Sequence, residues 1–271
     1  VTSGERLILL TNDDGVRAEG LLRLAEALDG LGAIHIVAPD RQRSAIGHAI
    51  TLDTPLQVEE VSLPGGLRAL ACSGTPTDCV MVAVHGLLPG APDLVVSGIN
   101  HGANMGEDLT YSGTVSAAME GALMRIPSMA VSAAPGPGGR VQYDAAAAAA
   151  RAIAPLVLGR GLAPGTLLNI NAPSCAVSEI RGASVTRLGY RDYAITIQES
   201  TSHTGERLCT IQGGPSDHPA QPGTDVEAIA AGRVSVTPVS LDLTASALMR
   251  DLADWPLGEL LRPRPDGACR E

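Results

Sequence analysis

The feature that most constrains the fold is a repeated order of segments. A short, unbroken apolar run is followed by a polar loop and then by a stretch with one apolar face. Residues 6–10 form the first run, and Asn12, Asp13, Asp14 and Gly15 follow it. Leu21, Leu22, Leu24, Ala25 and Leu28 then recur at helical spacing, and Gly30 and Gly32 end that helix. Residues 33–38 repeat the pattern, stopped by Pro39 and followed by the polar loop Asp40, Arg41, Gln42, Arg43 and Ser44. Further strands are expected over 67–72, 93–97 and 128–132, with helices over 76–88, 112–125 and 143–158. Strands covered on both faces read as continuous apolar runs. Their alternation with helices predicts an α/β fold, a mostly parallel sheet with helices on both sides.

In such sheets ligands bind beyond the carboxyl ends of the strands. Three loops leave those ends, over 11–15, 40–48 and 98–113, and all three are polar. The second half of the chain reads differently. Residues 166–170 suit one more core strand. Residues 185–196 and 207–212 alternate apolar and polar around a Ser/Thr/Gly segment, as a long antiparallel hairpin or arm would. A strand over 233–238, a helix over 244–255 and a loose Pro-rich tail from Arg262 complete the reading. No linker separates independent domains. One domain over 1–271 is expected, with a core over 1–175 and the arm, a further strand and a terminal helix over 176–271.

Composition narrows the chemistry. All 19 basic residues are Arg, so no mechanism that needs a lysine amine is available. A net charge of -10 and 2 % aromatic content argue against binding of a nucleic-acid duplex. No apolar run reaches the ~20 residues of a membrane span, and no basic-apolar leader is visible, so a cytoplasmic protein without a membrane partner is expected. The five cysteines are scattered, without metal-binding spacing, and read as reduced packing residues.

The adjacent acids Asp13 and Asp14 repel each other unless a counter-ion intervenes, and a hard divalent cation held by oxygen ligands supplies one. An exposed turn with an Asp helix cap is the alternative. Ser44 can add a hydroxyl oxygen and Asn100 an amide oxygen, while Arg41 or Arg43 can meet phosphate. Gly98, Gly102, Gly106 and Gly113 allow backbone N–H groups close to an anion. The Ser112-Gly113-Thr114 run opens a helix whose N-terminus attracts phosphate. A dinucleotide fingerprint, a P-loop and a serine-hydrolase elbow are all missing. Asp78 is read as part of a helix start.

Several ordered motifs resemble those of the SurE family (stationary-phase survival protein E). They are the segments 9–15, 37–48, 74–79, 97–104, 111–115 and 118–121, continued by 168–171, 186–189, 224–225 and 234–238. The resemblance implies a Rossmann-like three-layer core, with a swapped C-terminal element joining subunits into a homodimer or homotetramer. It implies a metal-dependent phosphomonoesterase acting on nucleoside monophosphates, as a 5′- or 3′-nucleotidase, with short polyphosphate as a further substrate in some members. The metal set carries over onto Asp13, Asp14, Ser44 and Asn100, for one Mg²⁺ or Mn²⁺ per subunit.

On that basis water attacks phosphorus in line. Asp13 or Asp14 orients the water or takes its proton. Asn12, the backbone near Gly102, Ser112, Gly113 and Thr114 hold phosphoryl oxygens. His48 is the candidate acid for the leaving alkoxide, against a structural histidine. A covalent aspartyl-phosphate is the rival route, although the usual signature for it is missing. A non-catalytic nucleotide or metal sensor and a dinucleotide-dependent oxidoreductase are the other classes weighed.

Overall fold

The computed structural model describes residues 6–190, 195–213 and 221–261. The chain divides into two compact units, one up to Ser240 and one from Leu241 onward. The strands of the first unit are β1 (Leu7–Thr11), β2 (Ala33–Pro39), β3 (Val58–Ser62), β4 (Arg68–Cys72), β5 (Leu94–His101), β6 (Ser128–Ala133), β7 (Thr166–Ala172), β8 (Ala183–Val185), β9 (Thr196–Thr201), β10 (Arg207–Gln212) and β11 (Val234–Ser240). Nine of them form one sheet, in the order β3-β4-β2-β1-β5-β6-β7-β11-β8. Its centre is parallel, and β3 and β11 run antiparallel to β4 and β7.

The apolar runs are continuous because both faces are covered. Every residue of β1 and β6 is buried. Helices α1 (Glu19–Leu28) and α4 (Asp144–Arg160) cover one face, where Leu21, Leu24 and Leu28 meet Ile8, Leu10 and Val96 in the larger core. The alanines of α4 are small enough to bring that helix close to the sheet. Helices α2 (Pro76–Val82) and α3 (Gly113–Leu123) lie against the second cluster, with Leu9, Val37 and Val95. Cys72 and Cys79 are fully buried there, and the four described cysteines are free thiols. The expected α/β architecture is therefore present.

Several expected boundaries move. The sheet continues past residue 175, because β8 and β11 pair with each other and β11 pairs with β7. The short helix α5 (Asp225–Ala230) precedes β11. Strand β5 runs on to His101 through a shift in its pairing with β6 between Ser97 and Asn100. Gly98 at that shift has φ +137°. Asn100 is consequently a strand residue.

The hairpin is shorter than expected and displaced along the chain. It joins β9 to β10, with Thr196 opposite Gln212 and Thr201 opposite Arg207. Val185 instead pairs with Val236 in the main sheet, and the Thr186 hydroxyl meets those of Ser235 and Thr237. The β-branched residues of 196–201 favour a strand where Ser and Thr suggest a turn. Residues 191–194 of the expected strand and the tail from residue 262 lie outside the described residues. In the second unit, the expected helix is α6 (Ser246–Ala253), followed by α7 (Leu257–Leu260).

Candidate active site

Strand β1 is the point at which the sheet reverses its order, since it pairs in parallel with β2 on one side and β5 on the other. Chains leaving its neighbours diverge there and open a crevice at the carboxyl ends. A cavity of about 1250 Å³ occupies that place, and Asp13, Asp14, Ser44, Asn100, Gly102 and Ser112 line it. Three sequence-remote loops thus supply one wall.

Asp13 follows β1 and is only 4 % exposed. Its carboxylate sits on the first turn of α3, where Oδ1 accepts the Thr114 hydroxyl. The approach is close enough that a Cβ on Gly113 would lie 2.8 Å from the Asp13 Cβ. Burial pushes the Asp13 carboxyl up from 3.8 to about 6; the Thr114 hydrogen bond pulls it back and the charge of Asp14 adds to the rise. Asp14 is half-buried, and its Oδ2 accepts the backbone N–H of His101 at 2.9 Å. That bond ties the end of β1 to the end of β5.

Asn100 donates its amide N–H to the Gly102 carbonyl at 2.9 Å, which leaves Oδ1 for another partner. The Ser44 hydroxyl accepts from Gln42 at 2.9 Å. Asp13, Asp14, Ser44 and Asn100 therefore offer oxygen donors to one space. Among the described residues no group of three or more His, Cys, Asp or Glu side chains could hold a metal. Ser44 and Asn100 are the neutral side chains that stand beside the two acids on the cavity wall. An all-oxygen set with two carboxylates, one of them penalised while charged and alone, fits a hard divalent ion such as Mg²⁺ or Mn²⁺.

The other candidates fall differently. Asn12 is fully buried and folded back on its own turn, donating to the Gly15 carbonyl at 2.9 Å and accepting the Gly15 N–H at 3.2 Å. It fixes the turn that aims Asp13 and Asp14, and it does not line the cavity. The Gly102 N–H is already donated to the carbonyls of Asn100 and Ala133, so it is not a free anion donor. Ser112 caps α3 by accepting the Val115 N–H and lines the cavity. Gly113 and Thr114 sit behind it against Asp13 and are not lining residues.

His48 is not on the cavity wall either. Its Nε2 lies 2.9 Å from Oε2 of Glu120, a carboxylate on α3. Next to it, the Gly47 N–H donates to the Tyr111 carbonyl. These two contacts pin the loop that carries Ser44 onto α3 and the segment just before it. Asp78 closes a capping box with Thr75 at the start of α2 and accepts the Thr51 N–H and hydroxyl, as its helix-start reading requires.

The family model described as survival protein SurE matches residues 8–195. The chain belongs to the SurE family. A protein named 5′-nucleotidase SurE from Pelobacter propionicus is 48 % identical over 248 residues, covering 92 % of this chain and 98 % of the relative. Another of that name from Geobacter sulfurreducens is 48 % identical over 264 residues, covering 96 % and 98 %. The crystal structure of the SurE protein from Aquifex aeolicus superposes with a TM-score of 0.78 at 40 % identity, covering 91 % of this chain and 98 % of that one. The SurE match thus spans β1 to β8 and includes every candidate ligand.

Sequence reasoning missed part of this SurE cavity. His101, at the end of β5, hydrogen-bonds through Nδ1 to the Tyr143 hydroxyl at 2.8 Å, and both line the cavity. Burial, with the charges of Asp14 and Glu19, pushes the Tyr143 hydroxyl up to about 12, so it stays protonated at neutral pH. His101 follows Asn100 directly, a usable signal. Tyr143 arrives only through the packing of α4. Asn104 also lines the cavity; its backbone is held by Asn169 and Asn171 on β7, and its amide donates to Ser132 on β6.

Proposed function

We propose that this chain is a metal-dependent 5′-nucleotidase, a phosphomonoesterase that converts nucleoside monophosphates to nucleoside and phosphate. The observation that carries the reading is the position of Asp13: buried on the N-terminus of α3, beside Asp14, in one cavity with Ser44 and Asn100. Asp13, Asp14, Ser44 and Asn100 would hold the cation. When bound, a divalent ion supplies compensating charge for the carboxylates and for a phosphoryl group.

This chain's own residues do the rest. The Ser112 hydroxyl binds a phosphoryl oxygen at the helix N-terminus. Asp13, next to the place where the cation would sit, orients a water for in-line attack and accepts its proton. The Thr114 hydroxyl fixes which way that carboxylate faces. The Tyr143–His101 pair stands at the wall as a proton source for the leaving alkoxide. His48 holds the Ser44 loop through Glu120.

The surface supports assembly into a homodimer or homotetramer through the hairpin and the C-terminal segment. No residue of β9, β10 or α6 is buried, and Ile197, Leu208, Leu248 and Met249 are exposed. No helix among the described residues is long and apolar enough to cross a membrane. The test is release of inorganic phosphate from nucleoside monophosphates with Mg²⁺ or Mn²⁺, abolished by EDTA and restored by the metal. Metal-supported binding without turnover would overturn the reading in favour of a sensor.

A further inference from the structure

The chain has few aromatic side chains: no Phe, one Trp and four Tyr in 271 residues. Two of the tyrosines, Tyr111 and Tyr143, line the candidate cavity. Tyr143 is engaged by His101. Tyr111 is 67 % exposed, and among the described residues its side chain has no hydrogen-bond or ring partner. Its backbone is well anchored instead: the N–H donates to Asp108 and the carbonyl accepts from Gly47. The fold therefore fixes where the ring stands without using the ring for packing.

The neighbours give that ring a purpose. Tyr111 directly precedes Ser112, the cap at which the phosphoryl group is placed. Ile195 and Ile211 put two more exposed apolar side chains on the same cavity. Glu107 and Asp108 add carboxylates to those of Asp13 and Asp14, and no Arg is among the described lining residues. One phosphate can be neutralised at the oxygen cluster. A ligand that is anionic at one end, and uncharged, flat and apolar-faced at the other, suits this wall.

We propose that the Tyr111 ring is the platform on which the nucleobase stacks, so that the cavity favours a phosphate ester that carries a base over the same ester without one. The proposal rests on the nucleotidase reading. Stacking uses the π-face that every base has, so the selection is tolerant of base identity. Ile195 and Ile211 complete the apolar part of the cavity wall.

The test compares kcat/KM for the four common nucleoside 5′-monophosphates with that for ribose 5-phosphate, which is the same ester without a base, all with Mn²⁺. In Tyr111→Ala the ratio of nucleotide to ribose 5-phosphate is expected to fall by roughly 5- to 150-fold, the usual range for losing one base–aromatic stack. The fall should appear mainly in KM for every base. Tyr111→Phe and Tyr111→Trp should restore the ratio, which a role for the hydroxyl or for general packing would not predict. Turnover of ribose 5-phosphate reports that each variant is folded. An unchanged ratio in Tyr111→Ala, while the wild type hydrolyses nucleotides, would overturn the platform alone. Wild-type enzyme that releases no phosphate from any nucleotide would overturn the platform together with the nucleotidase reading.

Discussion

Asp13→Asn should make the metal-free protein more stable while destroying its function. The buried carboxyl titrates near 6 in the fold against 3.8 for an ordinary side chain. An acid with a raised folded pKa contributes no penalty below about pH 3.8 and an increasing one as pH rises through 6. At 1.36 kcal/mol per pH unit, the metal-free fold carries about 3 kcal/mol of penalty at pH 7.5. Asparagine removes the ionisation, yet its Oδ1 can still accept the Thr114 hydroxyl. The variant in EDTA should therefore melt about 6–12 °C above the wild type at pH 7.5, and the gap should close towards pH 4. Added Mn²⁺ should reverse the order, because only the wild type gains binding free energy. The assay is thermal unfolding of both proteins in EDTA and in Mn²⁺ across that pH range. A variant no more stable than wild type in EDTA at pH 7.5, or a gap independent of pH, would refute the electrostatic argument.

Three other outcomes follow from the same geometry. With Mn²⁺ present, Asp13→Asn should lose at least about 100-fold in kcat, and near-native phosphate release would remove Asp13 from the chemistry. His48→Gln should cost less than about tenfold in kcat/KM, the scale of one partly exposed hydrogen bond, with an unchanged pH profile; a loss of several orders of magnitude would restore His48 as the acid. Gly113→Ala should cost about 1–3 kcal/mol of stability and weaken Mn²⁺ binding, since its methyl must displace Asp13, and calorimetric titration with Mn²⁺ checks this.

The parallel layers were legible because a strand buried on both faces has no option but a continuous apolar run, as residues 7–10 and 94–96 have. Elements outside that regime were not. Strand β3 exposes Glu59 and Glu60 at the sheet edge and pairs only with β4, so its sequence carries little hydrophobic signal. Helix α5 has six residues, too few for a periodicity to emerge. The hairpin β9–β10 is exposed on both faces, and a strand that buries neither face does not specify its register through its apolar pattern.

The candidate site divides along the same line. Asp13 and Asp14 announce themselves because two adjacent acids at a strand end are an electrostatic problem that the sequence displays in one place. Ser44 and Asn100 are ordinary residues until the sheet order places β2 and β5 near β1. What converts them into a set is the turn at Gly15, whose φ of +104° lets the Asn12 amide close on the Gly15 backbone and fixes the two acids between them at the end of β1. The same turn explains why Asn12, which reads as a ligand in the sequence, spends its amide on Gly15 in the fold. Both ends of its amide are consumed in aiming its neighbours. A residue type that can bind an anion and a residue that is free to bind one are distinguished only by its hydrogen-bond partners, and those depend on the turn's three-dimensional closure. Asn12→Ala should therefore weaken Mn²⁺ binding through misaligned acids, whereas a direct phosphate ligand would leave metal affinity intact and raise the KM for phosphoester alone.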